Sequence, residues 1–412
     1  MRKERLIVPV VVGVAVIWAL AQFVSGLLFE RELARALEDL EARGELVVER
    51  RDIERGWLTS SGTLQIAPLL GDSWLLEMTY EARHGVLSTR VDGRVKPHIG
   101  ARRERLFGDI LQSRPPRWHA RYRTLSGTLE GSIQAAPVII RQGEREIDFT
   151  GARLAFGGEY GDWWLRLRLS PFRLTDGQAT LQAGPVSLES RYAYTDGAVH
   201  FTQNDLLRVE RLEWQQPDLD LAASDLVYHN RMELDDRELR LEAELNIGEV
   251  QSADQVLLTG RVAMAVSRID ADALRAVLAD LRAQASRGDG PLEERELLAR
   301  LEPGIIAMLQ DSPRLDLETV GLESPMLGLS LRGDGALFFD ARRLEELSLL
   351  GLGEEEEQQR WLSRLDGDFT WYDAPKMVAL WLGLPLDTSD LEFDVVRGQL
   401  RVNGRPMPPL WR

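Results

Sequence analysis

The chain contains no cysteine. Disulfides, thiolate metal sites and cysteine nucleophiles are thereby excluded. Lysine is nearly absent: Lys3, Lys96 and Lys376 are the only three. Arginine supplies the rest of the positive charge, a pattern that a GC-rich genome and bidentate guanidinium contacts would both produce. The chain also lacks a basic excess, with 66 acidic against 50 basic residues and a net charge of −16. Nucleic-acid binding rests on phosphate neutralisation by a basic surface, so no nucleic-acid partner is expected.

Histidine is scarce too. The five are His84, His98, His119, His200 and His229. No two stand three or four residues apart, so a helical metal pair is excluded. No G-x-S-x-G elbow, P-loop or G-x-G-x-x-G motif appears. Asp387 and Asp390 read as a helix cap and a turn residue rather than an acid–base couple. The run Glu354–Glu357 reads as a solvated face, since four adjacent carboxylates cannot all meet one ion. No catalytic, cofactor-binding or metal-binding residue is assigned, no cofactor is expected, and the reading is that of a non-enzyme.

What is present begins with Leu6–Leu28, 23 residues without a charge. A helix of that length reaches roughly 34 Å, enough for a hydrocarbon core of about 30 Å. A cleaved signal would have a shorter apolar run and a small-residue cleavage site, and Val24–Phe29 offers a poor one. Arg2, Lys3 and Arg5 precede the span, which places the N-terminus in the cytoplasm and the bulk across the membrane. The absence of disulfides fits a bacterial periplasmic body large enough to build its own core. Leu33, Ala36, Leu37 and Leu40 then predict a juxtamembrane helix over Phe29–Glu41, a solvated stalk with one packed stripe, capped near Gly44.

From Glu45 to about Arg268 the hydrophobic period is two. In Ser73–Arg83, Trp74, Leu76, Met78, Tyr80 and Ala82 share one face. Leu239, Leu241, Ala243, Leu245 and Ile247 repeat the pattern. Such alternation predicts antiparallel strands with one face to the core. Gly71-Asp72, Asp92-Gly93, Gly157-Gly158, Asp176-Gly177 and Asp196-Gly197 supply turns. Leu58–Gln65 resembles Leu125–Glu130, which repeated hairpin chemistry explains as well as duplication does. Helices follow over 270–285, capped by Asp270 or Asp272, and 292–309, kinked at Pro303-Gly304, with Gly288–Pro291 between them. Strands are expected at Arg314–Leu322 and Met326–Phe339, and a charged helix at Arg343–Leu365. Asp366–Tyr372 reads as a strand, Pro375–Leu382 as a short helix, and Leu391–Val402 as a closing hairpin.

The 11 tryptophans include Trp74, Trp118, Trp163, Trp164 and Trp214 in predicted strands. Core packing accounts for them, and an apolar groove or glycan platform would use them equally. Trp163-Trp164-Leu165 and Val138-Ile139-Ile140 break the alternation and keep a groove in play.

Four local patterns carry a resemblance. They are the anchor followed by Glu54-Arg55-Gly56-Trp57-Leu58-Thr59-Ser60, then His84-Gly85, then Ala307-Met308-Leu309 leading through Ser312-Pro313 into a strand, and finally Gly398–Met407. In this order the chain resembles the YdgA-like proteins of Gram-negative bacteria, single-pass inner-membrane proteins of unassigned function. Residues 100–265 do not share in it. The resemblance implies an anchored envelope protein and assigns no site residue.

The expected fold is α+β and mainly β: an N-terminal transmembrane helix, then an extended curved antiparallel sheet with a few packed amphipathic helices. The expected divisions are 1–29 for the tip and anchor, 30–44 for the juxtamembrane helix, 45–268 for the β body, 269–311 for a helical pair and 312–412 for a C-terminal region. The expected partners are the bacterial inner membrane, met by residues 6–28, and a lipid or an envelope protein held in an apolar groove, or a second copy. The expected function is an inner-membrane-anchored periplasmic scaffold that binds or bridges. The alternatives are a homo-oligomeric assembly factor without a ligand and a hydrolase with an unrecognised site.

Overall fold

The computed structural model describes residues 4–42, 46–69, 73–100, 102–111, 113–195, 200–287, 294–385 and 387–407. Side chains are described from Trp18 onward, except at 19, 42, 142, 284–287 and 294. In chain order the elements are α1 (Glu4–Ala42), β1 (Leu46–Arg55), β2 (Thr59–Pro68), β3 (Trp74–His84), β4 (Ser88–Ile99), β5 (Glu104–Arg105), β6 (Arg117–Arg123), β7 (Thr128–Ala135), β8 (Val138–Gln142), β9 (Arg145–Phe149), β10 (Ala152–Glu159), β11 (Asp162–Leu169), β12 (Phe172–Asp176), β13 (Ala179–Ala183) and β14 (Val186–Tyr194). Then come β15 (Phe201–Gln216), β16 (Leu219–Leu234), β17 (Glu238–Ser252), β18 (Gln255–Asp270), α2 (Ala271–Arg287), α3 (Glu294–Ala307), β19 (Arg314–Ser324), β20 (Leu329–Phe339), α4 (Glu355–Leu362), β21 (Leu365–Tyr372), α5 (Lys376–Trp381), β22 (Leu391–Val396), β23 (Gln399–Val402) and β24 (Arg405–Pro406). The protein is mainly β with few helices, as the alternation predicts.

Two compact units emerge. The first comprises residues 1–140, 149–169 and 191–198; the second comprises 141–148, 170–190 and 199–412.

In the first unit the strands run β1-β2-β3-β4-β6-β7-β10-β11, each antiparallel to the next. Register places Ala82 opposite Val91, Val91 opposite Ala120, Ala120 opposite Gly131 and Gly131 opposite Phe156. One face is therefore apolar, and α1 lies on it. Phe29, Leu33 and Leu37 recur one turn apart and pack against Leu64, Tyr80, Val91, Trp118 and Tyr122. Phe29 is 5% exposed. Burying such a side chain contributes about 1.5–3 kcal/mol, which is what seats the helix.

In the second unit the strands run β12-β13-β15-β16-β17-β18-β19-β20-β21-β22-β23, again antiparallel in sequence order. Short turns join β15–β18 as a meander, while α2 and α3 lie between β18 and β19, α4 between β20 and β21, and α5 between β21 and β22. Asp270 caps α2 by accepting from the amide of Ala273 at 2.6 Å. α2 and α3 pack chiefly against each other. Their close approach needs Gly304, where a Cβ would stand 2.5 Å from Val277. α5, opened by Pro375, covers one end of the sheet, where Ala379, Leu384, Leu391 and Val402 form a buried cluster.

Several expectations change. The segment Phe29–Glu41 is not a solvated stalk, because its apolar stripe and its Glu30 and Asp39 side chains all meet the sheet face. The charged helix expected over Arg343–Leu365 is a short 3-10 turn at Leu344–Glu346 and then α4. Glycines at 351 and 353 separate them, and glycine weakens a helix interior. Glu357, expected on a solvated face, is 5% exposed; its carboxylate accepts from the Ser348 amide at 2.6 Å and from Arg360 at 3.0 Å.

The predicted span Leu6–Leu28 falls within α1, and most of its side chains lie outside the described residues. Among the described residues, no helix is long and apolar enough to cross a membrane. The predicted Gly44 cap, the Gly71-Asp72 and Asp196-Gly197 turns and the Gly288–Pro291 break also lie outside the described residues.

Candidate functional site

Three arrangements carry chemistry or binding potential. The first is the seat of α1 in the first unit. Arg50 stands opposite Leu64, on the apolar face of β1. Its guanidinium donates to Glu30 of α1 at 2.7 Å and, through Nε, to the Tyr80 hydroxyl at 2.9 Å. The Arg50 and Glu30 side chains are 12% and 13% exposed. Burial alone would lower the Arg50 pKa, but the bonds to Tyr80 and Glu30 leave it raised. Burial raises the Tyr80 phenol, against the pull of Arg50.

One to two turns earlier on α1, the Gln22 amide donates to the His84 carbonyl at 2.8 Å, and Ser25 Oγ shares a 2.6 Å hydrogen bond with Thr124 Oγ1. The His84 ring lies beneath Gly26, where a Cβ would meet it at 3.2 Å. His84 Nδ1 is 3.1 Å from Thr89 Oγ1, and both residues are buried. Burial pulls the His84 imidazole below its ordinary range, opposed by the Glu30 charge. His84 is thus part of the helix seat. Its partners Gln22 and Gly26 lie some 60 residues earlier, where no sequence spacing links them to it.

The second arrangement is the apolar face of the second unit. Register aligns Leu207, Tyr228, Leu245, Val262 and Val320 across β15–β19. The next row on that face is Val209, Leu226, Ile247, Gly260 and Leu322. On the other side, row after row is polar, as in Arg208, Val227, Asn246, Arg261 and Gly321. Tyr228, Leu245 and Met264 remain 39%, 37% and 38% exposed. The helices of this unit leave these residues open: α2 and α3 pair with each other, and α5 sits over β21–β23. Trp214 and Leu219, paired strands' residues near the same meander, are also exposed. Exposed apolar patches on a folded surface mark binding sites.

The third is a row on the polar face of the first unit. Asp92 stands opposite His119, and His119 opposite Ser132, with His119 Nε2 3.3 Å from Ser132 Oγ. They line a shallow hollow of about 580 Å³ with Arg90, Arg121 and Trp164. The residue types are those of a hydrolytic triad, and no spacing in the sequence announces them. The geometry falls short of one. Ser132 is only 3% exposed, and the surrounding amides belong to strand ladders rather than to a free oxyanion cradle.

Elsewhere the histidines are dispersed. His98 bonds the Arg103 carbonyl and His200 meets Asp236. Among the described residues no group of three potential metal ligands converges. Asp390 accepts from the Asp373 amide at 3.1 Å, a turn role as read from sequence. The five tryptophans singled out above do lie in strands: Trp118 is buried and donates to the Thr79 carbonyl at 3.0 Å, while Trp214 is 45% exposed.

The described residues form a mainly β, antiparallel fold with a long N-terminal helix and few other helices. The model of a bacterial family described as a protein of unknown function (DUF945) matches residues 1–370, and the chain belongs to that family. The closing hairpin at 391–402 lies beyond the matched residues. No curated protein and no solved structure matches the chain.

Proposed function

We propose that this protein is a membrane-anchored, non-enzymatic scaffold of the bacterial envelope that holds the acyl chain of a lipid against the open face of β15–β19. The observation that carries the reading is the half-exposed row Tyr228–Leu245–Val262, with Met264 beside it, on strands as long as 16 residues. An apolar strip of this kind offers an acyl chain contacts along its whole length and no acid–base chemistry to change it. The charge-free run Leu6–Leu28 and the basic residues before it support an inner-membrane anchor with the bulk in the periplasm. A membrane address supplies the lipid.

The test is labelling of the full-length protein, in cells, with a phospholipid carrying a diazirine in its acyl chain. Peptides from 219–270 are expected to carry the label. Leu245→Glu with Met264→Glu should reduce that labelling at least tenfold while leaving the melting temperature within a few degrees. Equal labelling of the two proteins would refute the reading.

A further inference from the structure

The first unit ends in three hairpin tips that ought to be polar and are not. The β1–β2 tip exposes Trp57 and Leu58, the β3–β4 tip Leu87 and the β6–β7 tip Leu125, at 59%, 52%, 60% and 85%. Turns at a water-facing surface favour Gly, Asn, Asp and Ser, and a leucine held in water there gains nothing for the fold.

The tips stand side by side. The His84 amide donates to the Leu58 carbonyl at 2.7 Å, and the Thr124 amide to the Leu87 carbonyl at 3.1 Å. α1 passes at the same level. Phe23 meets Trp57 edge-on with ring centroids 5.9 Å apart, Gln22 bonds the His84 carbonyl, and Ser25 bonds Thr124. While one side of α1 is seated on the sheet, Leu20, Phe23, Val24 and Leu27 form an outward stripe, each 45–57% exposed. Their spacing of three and four residues makes it a single face. Helix stripe and tips are therefore one contiguous apolar surface.

Five arginines flank the tips: Arg55, Arg83, Arg90, Arg121 and Arg123. Arg55, Arg83 and Arg123 pair with Glu30, Glu81 and Glu130 at 3.4, 3.3 and 3.2 Å, and their side chains stay 67%, 68% and 55% exposed. Apolar tips rimmed by arginine suit an anionic lipid surface, where aromatic and aliphatic groups enter the interface and guanidinium groups reach phosphate. Length agrees. Residues 6–24 of α1 rise about 1.5 Å each, roughly 28 Å in all, close to a hydrocarbon core of about 30 Å. The helix thus leaves the core at the level of Phe23–Ser25, where the tips stand.

We propose that Trp57, Leu58, Leu87 and Leu125, with the Leu20–Leu27 stripe, form a collar that rests in the interface of an anionic bilayer, so that the first unit stands on the membrane rather than on a tether. This rests on the anchor part of the function proposed above. The collar gives α1 its rigid seat a purpose: the helix and the sheet meet the bilayer as one piece.

Because the chain lacks cysteine, single labels are easily placed. Trp18→Cys, Leu87→Cys, Leu125→Cys and Arg102→Cys would each carry an environment-sensitive fluorophore, in full-length protein reconstituted in nanodiscs of phosphatidylethanolamine and phosphatidylglycerol. Arg102 follows the far end of β4 from the Leu87 tip. Doxyl lipids quenching near the headgroup should reduce the Leu87 and Leu125 signals to less than half and leave Arg102 unchanged. Doxyl lipids quenching deep in the core should reduce Trp18. If Trp18 is quenched while Leu87 and Leu125 behave like Arg102, the anchor stands and the collar is overturned. If Trp18 is not quenched either, the anchor itself fails and the collar with it.

Discussion

The buried pair between α1 and β1 makes the most demanding prediction about the helix seat. Arg50→Met would leave the Glu30 carboxylate at 13% exposure without its main partner, and would strip the Tyr80 hydroxyl of its donor. Removing one member of a buried ion pair costs about 3–5 kcal/mol when the remaining charge loses its compensation; here Glu30 keeps a second, longer contact to Arg55 at 3.4 Å. Both side chains keep slight exposure, so the lower end, about 3 kcal/mol, applies. For a unit of this size that is a fall of roughly 6–12 °C in melting temperature. The double variant Arg50→Met/Glu30→Leu removes both charges and should recover more than half of the loss, the remainder being the unpaired Tyr80 hydroxyl at about 1 kcal/mol. Arg51→Met is the control: its pair with Glu49 is 57% and 53% exposed and should be worth under about 1 kcal/mol. The assay is thermal unfolding of the reconstituted full-length protein by tryptophan emission. If Arg50→Met is as mild as Arg51→Met, or the double variant is no better than the single, the pair does not hold the helix and the seat is misread.

Two further predictions follow from burial. His84 has a folded pKa below its unfolded value of 6.5, so it contributes stability above pH 6.5 that is lost as pH falls through the lower, folded pKa. Melting temperature should therefore fall between pH 7 and pH 5, and His84→Gln should flatten that fall. Leu391 is fully buried beneath α5. Leu391→Ala should cost about 2–5 kcal/mol in urea unfolding, against a change within error for the exposed Met377→Ala.

Much of the fold was legible because the meander is local. Where a strand pairs with the next, as in β15–β18 and in the β22–β23 hairpin, alternation specifies the pairing; β4–β6, β7–β10 and β13–β15 pair past an intervening strand or hairpin. Pro375 and Asp270 announced their helices locally, the one by its fixed φ and the other by its capping carboxylate. Some failures are local: Asp92-Gly93 and Gly157-Gly158, expected as turns, lie inside β4 and β10. Others come from information held by a distant partner. Arg343–Leu365 carries helical spacing, but glycines at 351 and 353 and the buried Glu357, which reaches back to the Ser348 amide, turn it into a loop and a short helix. The place of His84 in the helix seat was hidden because its neighbours Gln22 and Gly26 belong to another element. The likeness of Leu58–Gln65 to Leu125–Glu130 was visible, but only the ladder shows that both begin at tips on the same end of one sheet. The row Asp92–His119–Ser132 is a product of register and leaves no trace in spacing.

The central claim is that an acyl chain occupies the face of β15–β19 that carries Leu245. A photoreactive amino acid placed at Leu245, and separately at Asn246 on the opposite face of the same strand, addresses it directly in living cells. After irradiation, intact mass should rise by a phospholipid at position 245 and not at 246. A rise by a second copy of the chain at position 245, or equal lipid adducts at both positions, would contradict the account.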